Sequence, residues 1–198
     1  MARYIGPKIK ISRRFGVKLG LRTNEEAFTR RPFKPGEHGP RGRRSRVTEY
    51  GTQLAEKQKA KFIYGVLERQ FARYFKMASK SHNAGLTLLQ ILETRLDTVV
   101  FRGGFTQTQS QARQFVTHGH VTVNGKKVSI PSFVVEPGMK IALTSSIQKT
   151  VDDAPVPTGE IPVWLRKDSK GIEVLAQPTR EQIPSIVNEQ LIVEFYSR

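Results

Sequence analysis

The sequence contains no cysteine, a single tryptophan and no run of about 18 consecutive apolar residues. Without thiols the chain forms neither disulfides nor thiolate metal sites, and its composition carries no signal about the redox state of its compartment. No apolar segment follows the basic start, so we expect a soluble chain that lacks a secretion signal.

Acidic residues are also scarce, except near the end of the chain. The 198 residues include 33 Lys and Arg against 17 Asp and Glu, a formal net charge of +16. Residues 1–50 carry 14 basic and 4 acidic side chains, whereas residues 151–198 carry 5 and 8. This gradient predicts a polyanionic partner along the first three quarters of the chain. The basic helices lack the Trp- and Phe-rich face of membrane-surface helices, which favours nucleic acid.

Residues 1–46 show little apolar periodicity, and their prolines and glycines alternate with arginines. Such a segment predicts an irregular basic N-terminal arm that its partner orders. A disordered solubilising tail is the alternative. Its apolar residues argue against that alternative, because a purely solvating tail would not need Tyr4, Ile5, Ile9, Ile11, Phe15, Phe28 and Phe33.

From Thr48 to about Lys80 the apolar residues recur at helical spacing. Arg69, Arg73, Lys76 and Lys80 are spaced by four, three and four, which predicts one row opposite the apolar face. An ordinary solvated face is the alternative, but such faces mix signs and only Glu68 lies near this row. We therefore favour RNA contact, and we interpret residues 79–85 as a loop before the next domain.

Residues 87–143 predict two helices followed by a hairpin. The first is expected from Thr87, as N-cap, to about Phe101, and the second begins after Thr108. Gly119 stands just beyond the second helix, where a left-handed residue is preferred. Asn124-Gly125 between two alternating segments predicts a two-residue hairpin turn.

Polar side chains gather on this helix–helix–hairpin unit. Gln109 and Arg113 are i,i+4 neighbours at the start of the second helix, where free N–H groups and the helix dipole favour a phosphate. His118 and His120 flank the helix end, and Lys126 follows the hairpin turn. This arrangement suits a nucleic-acid partner.

Beyond Leu143, the polar residues 144–157 predict a linker or surface loop. Residues 161–165 and 172–175 predict two strands around the turn 168–171. Trp164 has apolar neighbours, so we interpret it as a packing residue rather than a base-stacking platform. Thr179 predicts the start of a short helical turn, and Asn188 predicts the cap of a last helix.

Two stretches carry a specific resemblance, namely ETRLDTVVFRGGF and QARQFVTHGHVTVNGKKVSIPS. They resemble the RNA-binding module named after small-subunit ribosomal protein four. The family resemblance continues through MARYIGPKIKISRR, RRPFKPGEHGPRGRR, YGTQLAEKQKAKFIYGVLERQF and NEQLIVEFYSR, in order along nearly the whole chain. Thr98 and Gln109 depart from the family, which usually has Asn and a basic residue at these positions. The second departure leaves more of the phosphate contact to Arg113.

The fold expected from pattern and resemblance is α+β. It comprises the basic arm 1–46, a helical domain 47–86 completed by residues 178–198, and an inserted RNA-binding module 87–177 with a short antiparallel sheet. The residues predicted to bind RNA are Arg3, Lys8, Lys10, Arg13, Arg14, Arg41, Arg43, Arg44, Arg46, Lys57, Arg69, Arg73, Lys76, Lys80, Gln109, Arg113, His118, His120 and Lys126.

The resemblance implies a structural protein of the ribosome. The lack of a transit-like leader favours a bacterial cytoplasmic ribosome, and an organellar ribosome is the alternative. The resemblance also implies primary binding to the 5′ domain of small-subunit rRNA, where the protein organises a helix junction. It further implies a position near the channel through which mRNA enters, beside ribosomal proteins three and five, with mRNA as another partner and a role in translational accuracy. A regulatory protein that borrowed the module for tRNA or mRNA is the alternative, and the long basic arm argues against it.

Neither catalysis nor a cofactor is expected. Arg95-Leu96-Asp97 is similar to a triplet that carries the catalytic Asp in some pseudouridine synthases, but here it falls inside a predicted helix, where a local salt bridge is expected. No G-x-S-x-G, P-loop or H-E-x-x-H motif occurs. Some family members hold zinc with four N-terminal cysteines. This sequence has Ile9, Ser12 and Arg31 in that neighbourhood, and His38, His118 and His120 are too scattered to replace them.

Overall fold

The computed structural model describes residues 4–21, 26–37, 39–40, 48–152, 161–168, 171–183 and 186–197. These residues form nine helices and five strands, which confirms the α+β class. The chain divides into two compact units. Unit 1 comprises residues 1–85 and 185–198, and unit 2 comprises residues 86–184.

The helices that belong wholly to unit 1 are α1 (Lys8–Phe15), α2 (Glu26–Arg30), α3 (Glu49–Ile63), α4 (Glu68–Ala78) and α9 (Glu189–Tyr196). Helix α9 packs on α3 although more than a hundred residues separate them in sequence. As predicted, Asn188 caps α9, because its Oδ1 accepts from the Gln190 amide at 3.0 Å. Ile192 of this helix is fully buried.

The predicted irregular arm is wrong in part, since it contains α1 and α2. Helix α1 ends at Gly16, whose φ of 68° is left-handed. Its Ile11 is buried with Leu19 and Leu21, and Phe62 and Ile63 at the end of α3 pack against this cluster. The apolar residues of α1 are too few to show a clear helical period in the sequence. The end of α3 supplies the apolar surface on which α1 packs.

The predicted helical region from Thr48 to Lys80 is two helices. Thr48 begins α3, and its Oγ1 accepts from the Gly51 amide at 3.1 Å. Gly65, with a φ of 61°, ends α3 and turns the chain into α4. The Val66 amide then donates to the Lys61 carbonyl at 3.0 Å and closes the turn.

Helix α5 (Ala84–Glu93) begins at the end of unit 1 and continues into unit 2. Unit 2 then holds α6 (Leu96–Arg102), α7 (Gln109–Thr117), β1 (Val121–Val123), β2 (Lys126–Lys127), β3 (Lys140–Leu143), α8 (Ser145–Asp152), β4 (Leu165–Asp168) and β5 (Gly171–Val174). The sheet has the order β2-β1-β3-β5-β4, with every neighbouring pair antiparallel.

The core of unit 2 lies between α6, α7 and one face of the sheet. Val121, Ile141 and Ile172 come from successive strands and meet Val99 and Val116 of the two helices. Trp164 is 2% exposed within this core, which confirms it as a packing residue. Buried and half-buried residues alternate along β1 and β5, so the opposite sheet face is partly accessible to solvent.

The single helix predicted from Thr87 to Phe101 is wrong. Thr87 lies inside α5, and the helix breaks before α6 at Arg95, which has an extended backbone. The segment 131–135 causes the break by taking over backbone hydrogen bonds. Leu96 donates to the Phe133 carbonyl at 2.9 Å, and Val135 donates to the Thr94 carbonyl at 2.8 Å.

The local signals that follow are confirmed. Thr108 caps α7 by accepting from the Gln111 amide at 3.3 Å, and Gly119 beyond its end has a φ of 73°. Asn124 and Gly125 form the hairpin turn with positive φ values of 48° and 79°.

Two predictions for the last third of the chain are wrong. The predicted loop 144–157 contains α8, whose Ile147 and Val151 pack against the core of unit 2. The first predicted strand, 161–165, is displaced, because β4 begins only at Leu165. The Leu165 amide donates to the Pro162 carbonyl at 2.9 Å, so the preceding residues form a turn instead.

Candidate nucleic-acid interface

The most regular basic feature of unit 1 is a row of cations along α4. We call Arg69, Arg73, Lys76 and Lys80 the α4 row. All four side chains are exposed. Within the described part of the chain, none of them forms an ion pair. The first three lie on the helix, and Lys80 lies in the turn that follows it.

The opposite side of α4 explains why the α4 row faces solvent. Phe71 is fully buried, Tyr74 and Ala78 are buried beside it, and Phe75 stacks on Tyr196 of α9 with ring centroids 4.4 Å apart. An apolar stripe of this width orients the helix and leaves the cations outside. All three aromatic side chains of α4 therefore face inward.

Lys57, which was predicted to contact RNA, lies inside unit 1 and is only 5% exposed. Its Nζ is 2.8 Å from Glu68 Oε1 and 4.5 Å from the centre of the Phe195 ring. The Phe195 ring lies far along the chain, so no nearby sequence signal could have indicated this burial. Lys57 is therefore buried, unlike the exposed cations of the α4 row.

Glu68 is the acidic residue of α4, and its side chain is 46% exposed and hydrogen-bonded to residues of α3 and α9. It accepts from Lys57, from Lys61 Nζ at 3.2 Å and from the Tyr196 hydroxyl at 3.0 Å. Burial alone would raise the pKa of the Glu68 carboxyl, but these three hydrogen bonds hold that pKa below its ordinary value. Burial and the adjacent carboxylate raise the pKa of Tyr196. The charge of Glu68 is thus paired with two lysines of α3, and the α4 row itself carries only positive charge.

The predicted RNA-binding residues of α1 differ in exposure. Lys10 and Arg14 are exposed, whereas Lys8 and Arg13 are half-buried. Arg13 Nε donates to the Phe33 carbonyl at 3.1 Å, and its guanidinium lies 5.2 Å from the centre of that ring. Five further predicted residues lie outside the described part of the chain, namely Arg3, Arg41, Arg43, Arg44 and Arg46.

In unit 2, a buried ionic group lies beneath the start of α7. Arg95 donates to both carboxylate oxygens of Asp97, at 2.9 and 2.6 Å, which confirms the predicted local salt bridge. Arg113 Nη1 lies 3.6 Å from the same carboxylate. Burial raises the pKa of Asp97, and the two positive charges oppose that rise. Two guanidinium groups thus share one carboxylate.

Gln109 and Arg113 were expected to face a phosphate together, but both side chains turn largely into unit 2. Arg113 is 8% exposed and Gln109 is 9% exposed. Gln109 Nε2 donates to Thr98 Oγ1 at 3.1 Å. The two positions that depart from the family are therefore hydrogen-bonded to each other.

The other basic residues of unit 2 surround the hairpin. His118 and Lys126 are exposed, and the half-buried His120 has its ring centre 6.1 Å from that of His118. Lys127 lies across the surface of Gly119, so closely that a Cβ there would overlap its side chain. These side chains form a small basic corner between the end of α7 and the hairpin.

Sequence reasoning missed several exposed cations of unit 1. They lie in α2 and in the segments around it, where neither periodicity nor a capping signal distinguishes one cation from another; they are Lys18, Arg30, Arg31 and Lys34. Among the described residues, no three His, Asp or Glu side chains come together in a way that could hold a metal ion. Over the same residues, no helix has both the length and the apolar character needed to cross a membrane.

Comparison with known proteins identifies similar chains. Residues 3–93 match the Ribosomal protein S4/S9 N-terminal domain, and residues 94–141 match the S4 domain. Three relatives called small ribosomal subunit protein uS4 are similar over 100% of both chains. They come from Roseiflexus castenholzii (49% identical), Dictyoglomus turgidum (50%) and Aquifex aeolicus (48%).

Proposed function

The chain belongs to the small ribosomal subunit protein uS4 family, and on that premise we propose that it is a structural, rRNA-binding constituent of the small subunit in the cytoplasmic ribosome. The family is one of ribosomal proteins and not of enzymes. The observation that carries the proposal is the match to uS4 relatives over the full length of both chains. The exposed single-sign α4 row supports it.

We propose a more specific role on the family resemblance. The protein binds the 5′ domain of the small-subunit rRNA early in assembly and organises a helix junction there. It lies near the channel through which mRNA enters, beside ribosomal proteins three and five, and contributes to translational accuracy. The physical contribution is charge neutralisation, because cations between converging phosphates allow RNA helices to approach one another.

We also propose that residues 87–177 act as an RNA-binding module inserted into a helical domain formed by residues 47–86 and 178–198. The chain leaves unit 1 after Gly85 and returns at Ser185, which supports an insertion close to these boundaries. Helix α9 packs on α3 within unit 1, which supports a helical domain completed by the C-terminal segment.

The proposed RNA surface uses the exposed members of the predicted set. From the described residues these are Lys10, Arg14, Arg69, Arg73, Lys76, Lys80, His118 and Lys126. Lys57 is left out because its ammonium group is buried beside Glu68. Gln109 and Arg113 offer only their exposed edges, so we expect smaller contributions from them.

The test is a titration of the intact protein with the isolated 5′ domain of small-subunit rRNA, with excess tRNA as competitor. We expect binding that survives the competitor. Arg73→Ala should weaken it and lower the slope of log affinity against log salt by about one unit. Arg166→Ala is the matched control, since it removes one positive charge from a residue already paired with Glu173.

Equal affinity for the 5′ domain and for tRNA would contradict the ribosomal assignment and favour a general RNA-binding protein. Equal effects of Arg73→Ala and Arg166→Ala would show that net charge alone governs binding. That result would remove α4 from the proposed surface.

A further inference from the structure

We propose that the α4 row binds the sugar-phosphate backbone of double-helical RNA and follows one strand across several consecutive phosphates. The inference rests on the proposed function, since it names the class of RNA structure that this surface takes. It concerns unit 1 alone.

The first argument is spacing. At about 1.5 Å of rise per residue, steps of four and three residues separate Arg69, Arg73 and Lys76 by roughly 6 and 4.5 Å along α4, and Lys80 follows in the turn after the helix. This repeat is similar to the separation of successive phosphates along one nucleic-acid strand. The α4 row therefore matches the regular sugar-phosphate backbone of a double helix better than the backbone of a strand that folds back on itself.

The second argument is rigidity. Phe71 and Ala78 are fully buried under α4, and Glu68 at its first turn is held by Lys57, Lys61 and Tyr196. A helix anchored at both ends presents its cations in a fixed register. A pre-ordered row gains affinity from a partner that is itself ordered, because neither surface must be rearranged on binding.

The third argument concerns aromatic side chains. Proteins that bind single strands combine a basic surface with exposed aromatic rings on which bases stack. On α4 all three aromatic residues face inward, and the exposed apolar residue beside the α4 row is Met77. The α4 row therefore offers charge without a stacking platform, which suits recognition of a duplex by its backbone and shape.

The first experiment compares affinities of the intact protein for a plain RNA duplex and for its separate strands. The test variant replaces all four residues of the α4 row by Ala. The control variant replaces Lys140, Arg166, Lys167 and Arg180 of unit 2 by Ala, which removes the same charge. We expect the wild type and the control to prefer the duplex and the α4-row variant to lose the preference.

Salt dependence supplies the quantitative readout. Four phosphate contacts contribute a slope of about three to four units. Between about 50 and 200 mM salt, the wild type should lose roughly a hundredfold more affinity for the duplex than the α4-row variant does. Equal losses, or a wild type that prefers the single strands, would overturn the inference.

The second experiment locates the contact in the 5′ domain. Because the chain contains no cysteine, Met77→Cys creates a unique attachment point beside the α4 row for an iron chelate that generates hydroxyl radicals. Cleavage of two paired strands across one groove is expected. Cleavage confined to unpaired nucleotides would overturn the inference, and the unmodified chain treated identically is the control.

The two proposals fail differently. Loss of 5′-domain selectivity over tRNA, with the duplex preference retained, contradicts the ribosomal function and leaves the inference standing. Selective 5′-domain binding with unpaired cleavage, or without the duplex preference, contradicts the inference and leaves the function standing.

Discussion

At the residue scale, burial changes the meaning of a charge. Lys57 and Arg73 are both cations on helices of unit 1, yet Lys57 packs on Phe195 and pairs with Glu68 while Arg73 faces solvent. A cation buried in an ion pair cannot reach a polyanion, whereas an exposed cation can. The net charge therefore counts cations that cannot contact RNA, and the exposure of each side chain shows which cations can.

The charge of Asp97 neutralises two buried arginines. Asp97→Asn would leave Arg95 and Arg113 buried without their shared carboxylate, and we expect a loss of about 3–5 kcal/mol in the free energy of unfolding. Urea denaturation measures it. Asp168→Asn is the control, since its exposed carboxylate should contribute less than about 0.5 kcal/mol. Equal effects of the two changes would contradict a structural role for the buried group.

Glu68 predicts a pH dependence of stability. Because its folded-state pKa is lowered, its ionised form stabilises the fold above the ordinary value of 4.5, and this contribution is lost as pH falls through the folded value. The difference in unfolding free energy between the wild type and Glu68→Gln should therefore narrow on acidification from neutral pH. Thermal or urea unfolding at several pH values measures it. A difference that stays constant with pH would contradict the ionic role of Glu68.

At the element scale, α6 and β5 approach closely at Gly103. Its φ of −75° is ordinary for any residue, but a Cβ there would overlap the buried Ile172 side chain. Gly103→Ala should therefore destabilise unit 2 by about 1–3 kcal/mol through overpacking. Urea denaturation measures the change.

Ile172→Val is the matched second change, because it removes the Cδ1 atom that the new Cβ would meet. Alone it should cost about 0.5–1.5 kcal/mol. Combined with Gly103→Ala, the cost should be smaller than the sum of the two single changes. Additive costs would show that the close approach is not the reason for glycine at this position.

At the scale of the whole molecule, two compact units predict two levels of protection. Phe71 is fully buried in unit 1, so Phe71→Ala should cost about 3–5 kcal/mol there. Hydrogen exchange followed by mass spectrometry should show faster exchange in α3, α4 and α9. Amides of the sheet in unit 2 should retain their protection, and a uniform acceleration would indicate one cooperative fold.

The sequence by itself determined the features that depend on neighbouring residues and on charge. The Thr108 cap, the left-handed Gly119 and the Asn124-Gly125 turn each rest on hydrogen bonds or φ values within a few residues. The row from Arg69 to Lys80 follows from helical spacing alone. These features are local, so their signals stand in the sequence.

Only the tertiary structure decided the features that depend on distant residues. The helix breaks at Arg95 because residues 131–135 supply competing backbone hydrogen bonds. Lys57 is buried because α9 returns from the far end of the chain. Gln109 turns inward because Thr98 accepts its hydrogen bond. Each outcome requires a partner that folding brings close, and short-range periodicity contains no information about that partner.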